Sequence, residues 1–144
     1  MISTKGRYAL RLMIDIATYS NGNPVSLKDV SQRQGISIKY LEQVVSLMVR
    51  AQLLVSIRGN NGGYMLAKEI SHYNTFEILN AAEGTLAPVS CLQTEINICP
   101  RVDGCTTIDY WKGYYDVIKN YTQSVSLQDL VEKEKNKTGN DYNI

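Results

Sequence analysis

Three cysteines, Cys91, Cys99 and Cys105, share one short stretch of a 144-residue chain that holds no other. They read C-x7-C-x5-C, with Pro100 and Gly104 among them. Thiolates suit the iron of an iron–sulfur centre or zinc, and a short loop broken by Pro and Gly can wrap three of them round one small centre. The C-x2-C knuckle of most structural zinc sites is absent. An odd cysteine count argues against a disulfide framework. A ligand set, a redox switch and three unliganded thiols all remain open. The single histidine, His72, lies far from the cysteines in sequence and reads as a surface residue. No nucleophile–base pair, Ser-His-Asp set, metalloprotease motif or nucleotide-binding motif is visible, so an enzyme is the remotest reading.

A second set of residues could meet a polyanion. Lys39, Gln43, Ser46 and Arg50 recur on one face of an amphipathic run, with Tyr40 and Glu42 at its edge. Gln43 could pair bidentately with adenine, and Glu42 could accept from cytosine N4. Ser37, just ahead of the run, could set its backbone N–H against a phosphate. Arg58 and Gly59 begin a glycine-rich turn, where a guanidinium could enter a narrow minor groove. Charge supports this. Residues 1–68 hold nine Lys/Arg against three Asp/Glu, and residues 69–144 hold six against eleven. A basic half joined to an acidic half suits a chain with one end on nucleic acid. The same pattern also suits a structural module with a solvated charged face.

The elements that must position these residues follow from periodicity. A first helix is expected over Thr4–Tyr19, a second from the Ser26 cap to about Gln34, and a third from the Ser37 cap to about Ala51. Ile38, Leu41, Val44, Val45, Met48 and Val49 form the expected buried stripe of the third. Leu54–Arg58 and Tyr64–Ala67 read as a hairpin round Gly59–Gly63. No Gly-Lys-Ser/Thr follows that loop, so it is not a phosphate cradle. A fourth helix spans Thr75–Glu83, an irregular loop spans 84–105, and a long helix runs from about Thr107 to Val125 behind a Thr106–Asp109 capping pair. A short helix starts at Ser126, and the chain from about Lys133 reads as mobile. The fold class is thus mainly α: a winged helix-turn-helix domain with a long C-terminal dimerisation helix. The expected parts are 1–83, the cysteine-bearing loop 84–106, the helices 107–131 and the tail 132–144. Ile108, Trp111, Tyr115, Ile118 and Tyr121, broadened by Tyr114, Val117 and Val125, form an aromatic face too large for water, expected to meet a second copy. No window is apolar for long enough to span a bilayer and no export signal opens the chain, so a cytoplasmic protein is expected.

Specific segments carry a resemblance. Ser3-Thr4-Lys5-Gly6-Arg7-Tyr8-Ala9-Leu10, Gln34-Gly35-Ile36-Ser37-Ile38-Lys39-Tyr40-Leu41-Glu42-Gln43, Arg58-Gly59, Gly62-Gly63-Tyr64, Glu83-Gly84 and Leu86-Ala87-Pro88-Val89 resemble the Rrf2 family of bacterial transcription regulators. The likeness covers nearly the whole chain. It implies a winged-helix homodimer on palindromic double-stranded DNA, each long helix crossing to the other subunit. Ser37, Lys39, Tyr40 and Gln43 would lie in or beside the major groove, and Arg58 in the wing.

The resemblance also implies an iron–sulfur cluster, of [2Fe–2S] type, on Cys91, Cys99 and Cys105. Iron–sulfur members commonly space these cysteines five residues apart, whereas the first gap here is seven. Some place a histidine three residues beyond the third cysteine, where this chain has Ile108. Others take an acid from early in the first helix, and no acid precedes Asp15 here. Asp109, Asp103, Glu95 or a non-protein group are left as a fourth ligand. Another branch of the family is switched by cysteine synthase. The end Asp141-Tyr142-Asn143-Ile144 could place a terminal isoleucine carboxylate in such a partner, or be an ordinary frayed end. Thiol oxidation is the remaining switch.

Overall fold

The computed structural model describes residues 1–141. Helix α1 (Thr4–Tyr19) starts where the Ser3 hydroxyl accepts from Lys5 N at 3.2 Å. Ala9, Leu12, Met13 and Ile16 recur at helical spacing and are fully buried, so α1 is the axis of the core. Helix α2 (Leu27–Gln34) is capped by Ser26 and ends at Gly35, which takes the left-handed conformation at φ 66°. A side chain there would be strained, and the glycine lets the chain turn at once into α3 (Ile38–Arg50).

Helix α3 buries Leu41, Val44, Val45 and Met48 against α1 and α2. Ile38 departs from the expected stripe. It stands 43% exposed, because at the first turn of the helix no neighbouring element covers it. Strands β1 (Leu54–Ile57) and β2 (Gly63–Leu66) pair antiparallel with Leu54 opposite Leu66 and Ile57 opposite Gly63. Tyr64 also bridges to Val25, between α1 and α2. A Cβ on Gly63 would lie 2.4 Å from the Val25 carbonyl oxygen, so only glycine allows this approach.

Helix α4 (Thr75–Glu83) opens with a reciprocal capping box between Asn74 and Glu77. The following segment holds two 3-10 turns, Ser90–Leu92 and Val102–Gly104, ahead of α5 (Ile108–Ser124). The expected Thr106–Asp109 capping pair is not formed. Thr107 takes the cap position, and its hydroxyl faces the Cys105 sulfur instead of the helix. Helix α6 begins with Ser126 and Asp129 exchanging cap bonds at 2.9 and 3.0 Å, as expected. It then continues from Leu127 to Asp141, well past the expected end near residue 131. Leu127 and Val131 anchor its first turns in the core, and the Glu/Lys-rich remainder propagates the helix on the solvent side.

The result is a mainly helical fold with one two-stranded sheet, its core gathered round α1, α3 and α4. No described helix is long and apolar enough to cross a membrane.

Candidate nucleic-acid interface and cysteine loop

The side chains of Ser37, Lys39, Gln43, Ser46 and Arg50 are exposed along one face of α3, opposite its buried stripe. The Ser37 hydroxyl is engaged as the cap, accepting from Tyr40 N at 3.2 Å, and so stiffens the start of the helix. Tyr40 is half-buried and stands edge-on to Tyr8 of α1 at 5.2 Å. Its ring position is therefore set by α1, which the sequence did not suggest. Arg11 lies over Tyr8 at 5.4 Å. A hollow of about 430 Å³ between α3 and the hairpin is lined by Glu42, Ser46, Arg50, Ser56 and Tyr64.

The hairpin forms the wing. Arg58 and Gly59 are exposed at its tip, where Gly59 has φ 116°. The tight return requires Gly62, whose added Cβ would lie 2.3 Å from Ile57 O. The base of the wing is clamped by Tyr73, 1% exposed. Its hydroxyl donates to Leu53 O at 2.7 Å and accepts from Ala67 N at 2.8 Å and Lys68 N at 3.2 Å. Lys68 lies over the ring at 4.8 Å. Burial of the phenol raises its pKa against the opposing pull of the two backbone N–H bonds. His72, beside it, is exposed as expected.

The cysteine loop hangs between two fixed points. At its start, Glu83 Oε1 accepts from Ser3 N at 2.9 Å, Ser3 Oγ at 2.8 Å and Gly6 N at 3.1 Å. The end of α4 is thereby tied to the start of α1. At its end, Ile108 is buried within the chain. Cys91, Cys99 and Cys105 are all half-buried and unpaired. Cys105 Sγ lies 3.6 Å from Thr107 Oγ1, and that hydroxyl with the backbone N–H groups of Thr107 and Ile108 lowers the thiol pKa. Ile96 and Ile98 are 77% and 82% exposed on the same loop.

As donors, three soft thiols suit an iron–sulfur centre. Their geometry is not preassembled: among the described residues no three of His, Cys, Asp or Glu are gathered to hold a metal ion. The donor set fits in kind, and a centre would have to draw the loop around itself.

Helix α5 divides the expected aromatic face. Ile108 is buried, and Trp111 and Ile118 are half-buried, lining a hollow of about 470 Å³ with Leu79 and Leu86 of the same chain. Tyr115 is half-buried under Lys119 at 4.5 Å. Of Ile108, Trp111, Tyr115, Ile118 and Tyr121, only Tyr121 points fully outward. The outward stripe is Tyr110, Tyr114, Val117 and Tyr121, between 49% and 69% exposed, and Tyr110 lies outside the face expected from sequence. The reason is local: α5 packs on α4, and Thr75 Oγ1 donates to Thr122 O at 2.7 Å, which turns the Trp111 side inward.

A polar recognition helix behind a Gly turn, a wing beside it and a long trailing helix define a winged helix-turn-helix DNA-binding transcription regulator. The chain belongs to the Rrf2 family: the family profile, described as an iron-dependent transcriptional regulator, matches residues 2–133. Among its relatives is the HTH-type transcriptional regulator IscR of Photorhabdus laumondii, 37% identical over 134 residues, which are 93% of this chain and 80% of that one. Among solved structures, CymR, the global cysteine regulator of B. subtilis, matches with a TM-score of 0.73 at 34% identity, over 92% of this chain and 97% of that one. IscR of T. potens matches with a TM-score of 0.69 at 30% identity, over 93% and 88%. The family and the Photorhabdus relative are named as regulators of transcription, and this chain is one, not an enzyme.

Proposed function

We propose that the protein is a cytoplasmic homodimer that binds a palindromic operator and is switched through its cysteine loop. Helix α3 would enter the major groove, with Gln43 and Lys39 on base edges and Ser37, Tyr40 and Arg50 on the backbone. Arg58 and Gly59 would place the wing in the minor groove. Residues 1–83 would form the DNA-binding part, 84–106 the sensing loop and 107–131 the connection to the second copy. The outward stripe of α5 supports the dimer, since its steps of four, three and four residues make a coiled-coil-like seam.

The observation that carries the switch is the position of the loop. It starts at Glu83, which holds α1, and ends at Cys105, which lies against the start of α5. A change in the loop is therefore passed to both the DNA-binding part and the dimer helix. Cys91, Cys99 and Cys105 would hold an iron–sulfur centre, of [2Fe–2S] type, and a bound centre would supply sensitivity to iron and oxidants. The iron-dependent description of the family supports this reading. The chain's own part is to order residues 91–105 when the thiols are held and to release them otherwise.

The test is anaerobic purification with an absorbance spectrum and iron and sulfide assays. Cys91→Ser, Cys99→Ser and Cys105→Ser should each abolish the colour and shift operator affinity in the same direction. Three variants that match the parent in spectrum and affinity would falsify the cluster switch. A second reading is a regulator with no metal centre, switched by thiol oxidation or by a partner such as cysteine synthase. It draws on the likeness to CymR, a structure of whose Staphylococcus aureus form is described as oxidised, and on the ungathered thiols. The tail ending in Ile144, which would meet such a partner, lies outside the described residues. Colourless anaerobic protein favours this second reading.

A further inference from the structure

Helix α1 buries carbon everywhere on its inner face except at Asp15, whose side chain is wholly enclosed. A buried carboxylate is tolerated only where charge partners and hydrogen bonds replace water. Both are supplied by the last two residues of α2. Arg33 forks onto Asp15, with Nη2 at 2.7 Å from Oδ1 and Nε at 3.0 Å from Oδ2. Gln34 Nε2 donates to Oδ2 at 2.9 Å. The Gln34 amide oxygen accepts from Arg11 Nε at 3.1 Å, and Arg11 Nη2 donates to the Gln34 backbone oxygen. Tyr19 backs the Arg33 guanidinium at 4.0 Å.

These bonds end where the turn into α3 begins. After Gln34 come Gly35, Ile36 and the Ser37 cap. The Ser31 hydroxyl donates to Ile36 O at 2.6 Å, fixing the turn from its other side. Apolar packing of the unit is already supplied by Val30 and Ile36, both buried. A hydrophobic side chain of similar volume can serve stability as well as a buried ion pair does. A bidentate fork adds direction: it allows one orientation of its two partners.

We propose that Asp15 is a positioning residue for sequence readout. Through Arg33 and Gln34 it fixes the angle at which α3 leaves the turn, and so the seat of Lys39 and Gln43 on the bases. It touches no DNA itself. The proposal rests on the reading of α3 as the recognition helix. In a dimer any error in this angle is made twice, once at each half-site.

The experiment measures binding of Asp15→Asn, Arg33→Gln and Gln34→Ala to two duplexes, one enriched from a random pool by the parent protein and one scrambled. Folded dimer is verified for each variant by circular dichroism and sedimentation. Asp15→Asn should lose about tenfold on the enriched duplex, comparable to the discrimination of one base-reading side chain. Its loss on the scrambled duplex should stay below about twofold, with an unchanged salt slope, because the phosphate contacts are intact. Arg33→Gln should do the same. Equal loss on both duplexes with a shallower slope would make Arg33 a phosphate contact and overturn the proposal. Gln34→Ala leaves the Asp15–Arg33 pair in place and removes the side-chain bonds of Gln34 to Asp15 and to Arg11 Nε, at a half-buried site. Reduced selectivity in this variant supports the proposal even where Asp15→Asn does not fold, and parental selectivity overturns it. A parent that enriches no duplex would instead overturn the recognition-helix reading itself.

Discussion

Tyr73 shows how much one hydroxyl can hold. It joins the start of β1 to the end of β2, so both legs of the wing are fixed at the base while the tip stays free. In Tyr73→Phe the ring still fills its space. Leu53 O and Ala67 N then keep only their long mutual bond of 3.4 Å, and Lys68 N loses the phenol oxygen as its acceptor. The expected cost is about 1–3 kcal/mol, since buried polar groups are left under-satisfied. Denaturant unfolding should show a lower midpoint at an unchanged slope. Parental stability would mean that water replaces the hydroxyl. Side chains such as Tyr73, Glu83 and Asp15 could not be found from sequence, because their partners lie 5 to 80 residues away and nothing local marks them. The exposed row of Lys39, Gln43, Ser46 and Arg50 was legible, because it follows from the helical period alone.

At the scale of elements, α1 to α4 and the hairpin fell where period, caps and glycines placed them. Ser26 and Ser37 cap as expected, and Gly35 turns the chain. The errors lie at α5 and α6, where the rules compete. Thr107 rather than Thr106 takes the cap position of α5, and its hydroxyl lies against the Cys105 sulfur in place of a cap bond. The inward side of α5 is chosen by α4, a tertiary contact with no local signature. The outward stripe makes a direct prediction. Val117→Glu sets a charge in the proposed seam, and an unpaired charge in an interface costs about 3–5 kcal/mol. Sedimentation should show monomers with parental helix content, whereas an intact dimer would place the interface elsewhere. The start of α6 carries a pH dependence. The Ser126 backbone N–H, with the Ser126 hydroxyl beside it, holds the Asp129 carboxyl below its ordinary pKa. Stabilisation is therefore present above the ordinary carboxylate value and is lost as pH falls through the lower, folded one. Asp129→Asn should lack that acid-dependent loss of helix at residues 127–130, read from NMR chemical shifts. An identical acid response in parent and variant would remove Asp129 as its source.

The whole molecule pairs a basic N-terminal half with an acidic C-terminal half, and the structure puts α3 and the hairpin in the first and the trailing helices in the second. Affinity for DNA should therefore rest on the first half and fall steeply with salt. The fold, the class and the exposed row on α3 were within reach of sequence. What sequence could not supply is the arrangement of the thiols, which depends on the path of a loop that no periodic rule governs. Selection from a random duplex pool tests the central claim, that two copies read DNA together through α3 and the wing. The account predicts enrichment of an inverted repeat, with half-site centres about one turn of DNA or a multiple of it apart. Enrichment of a single asymmetric half-site, or of no sequence at all, would contradict it.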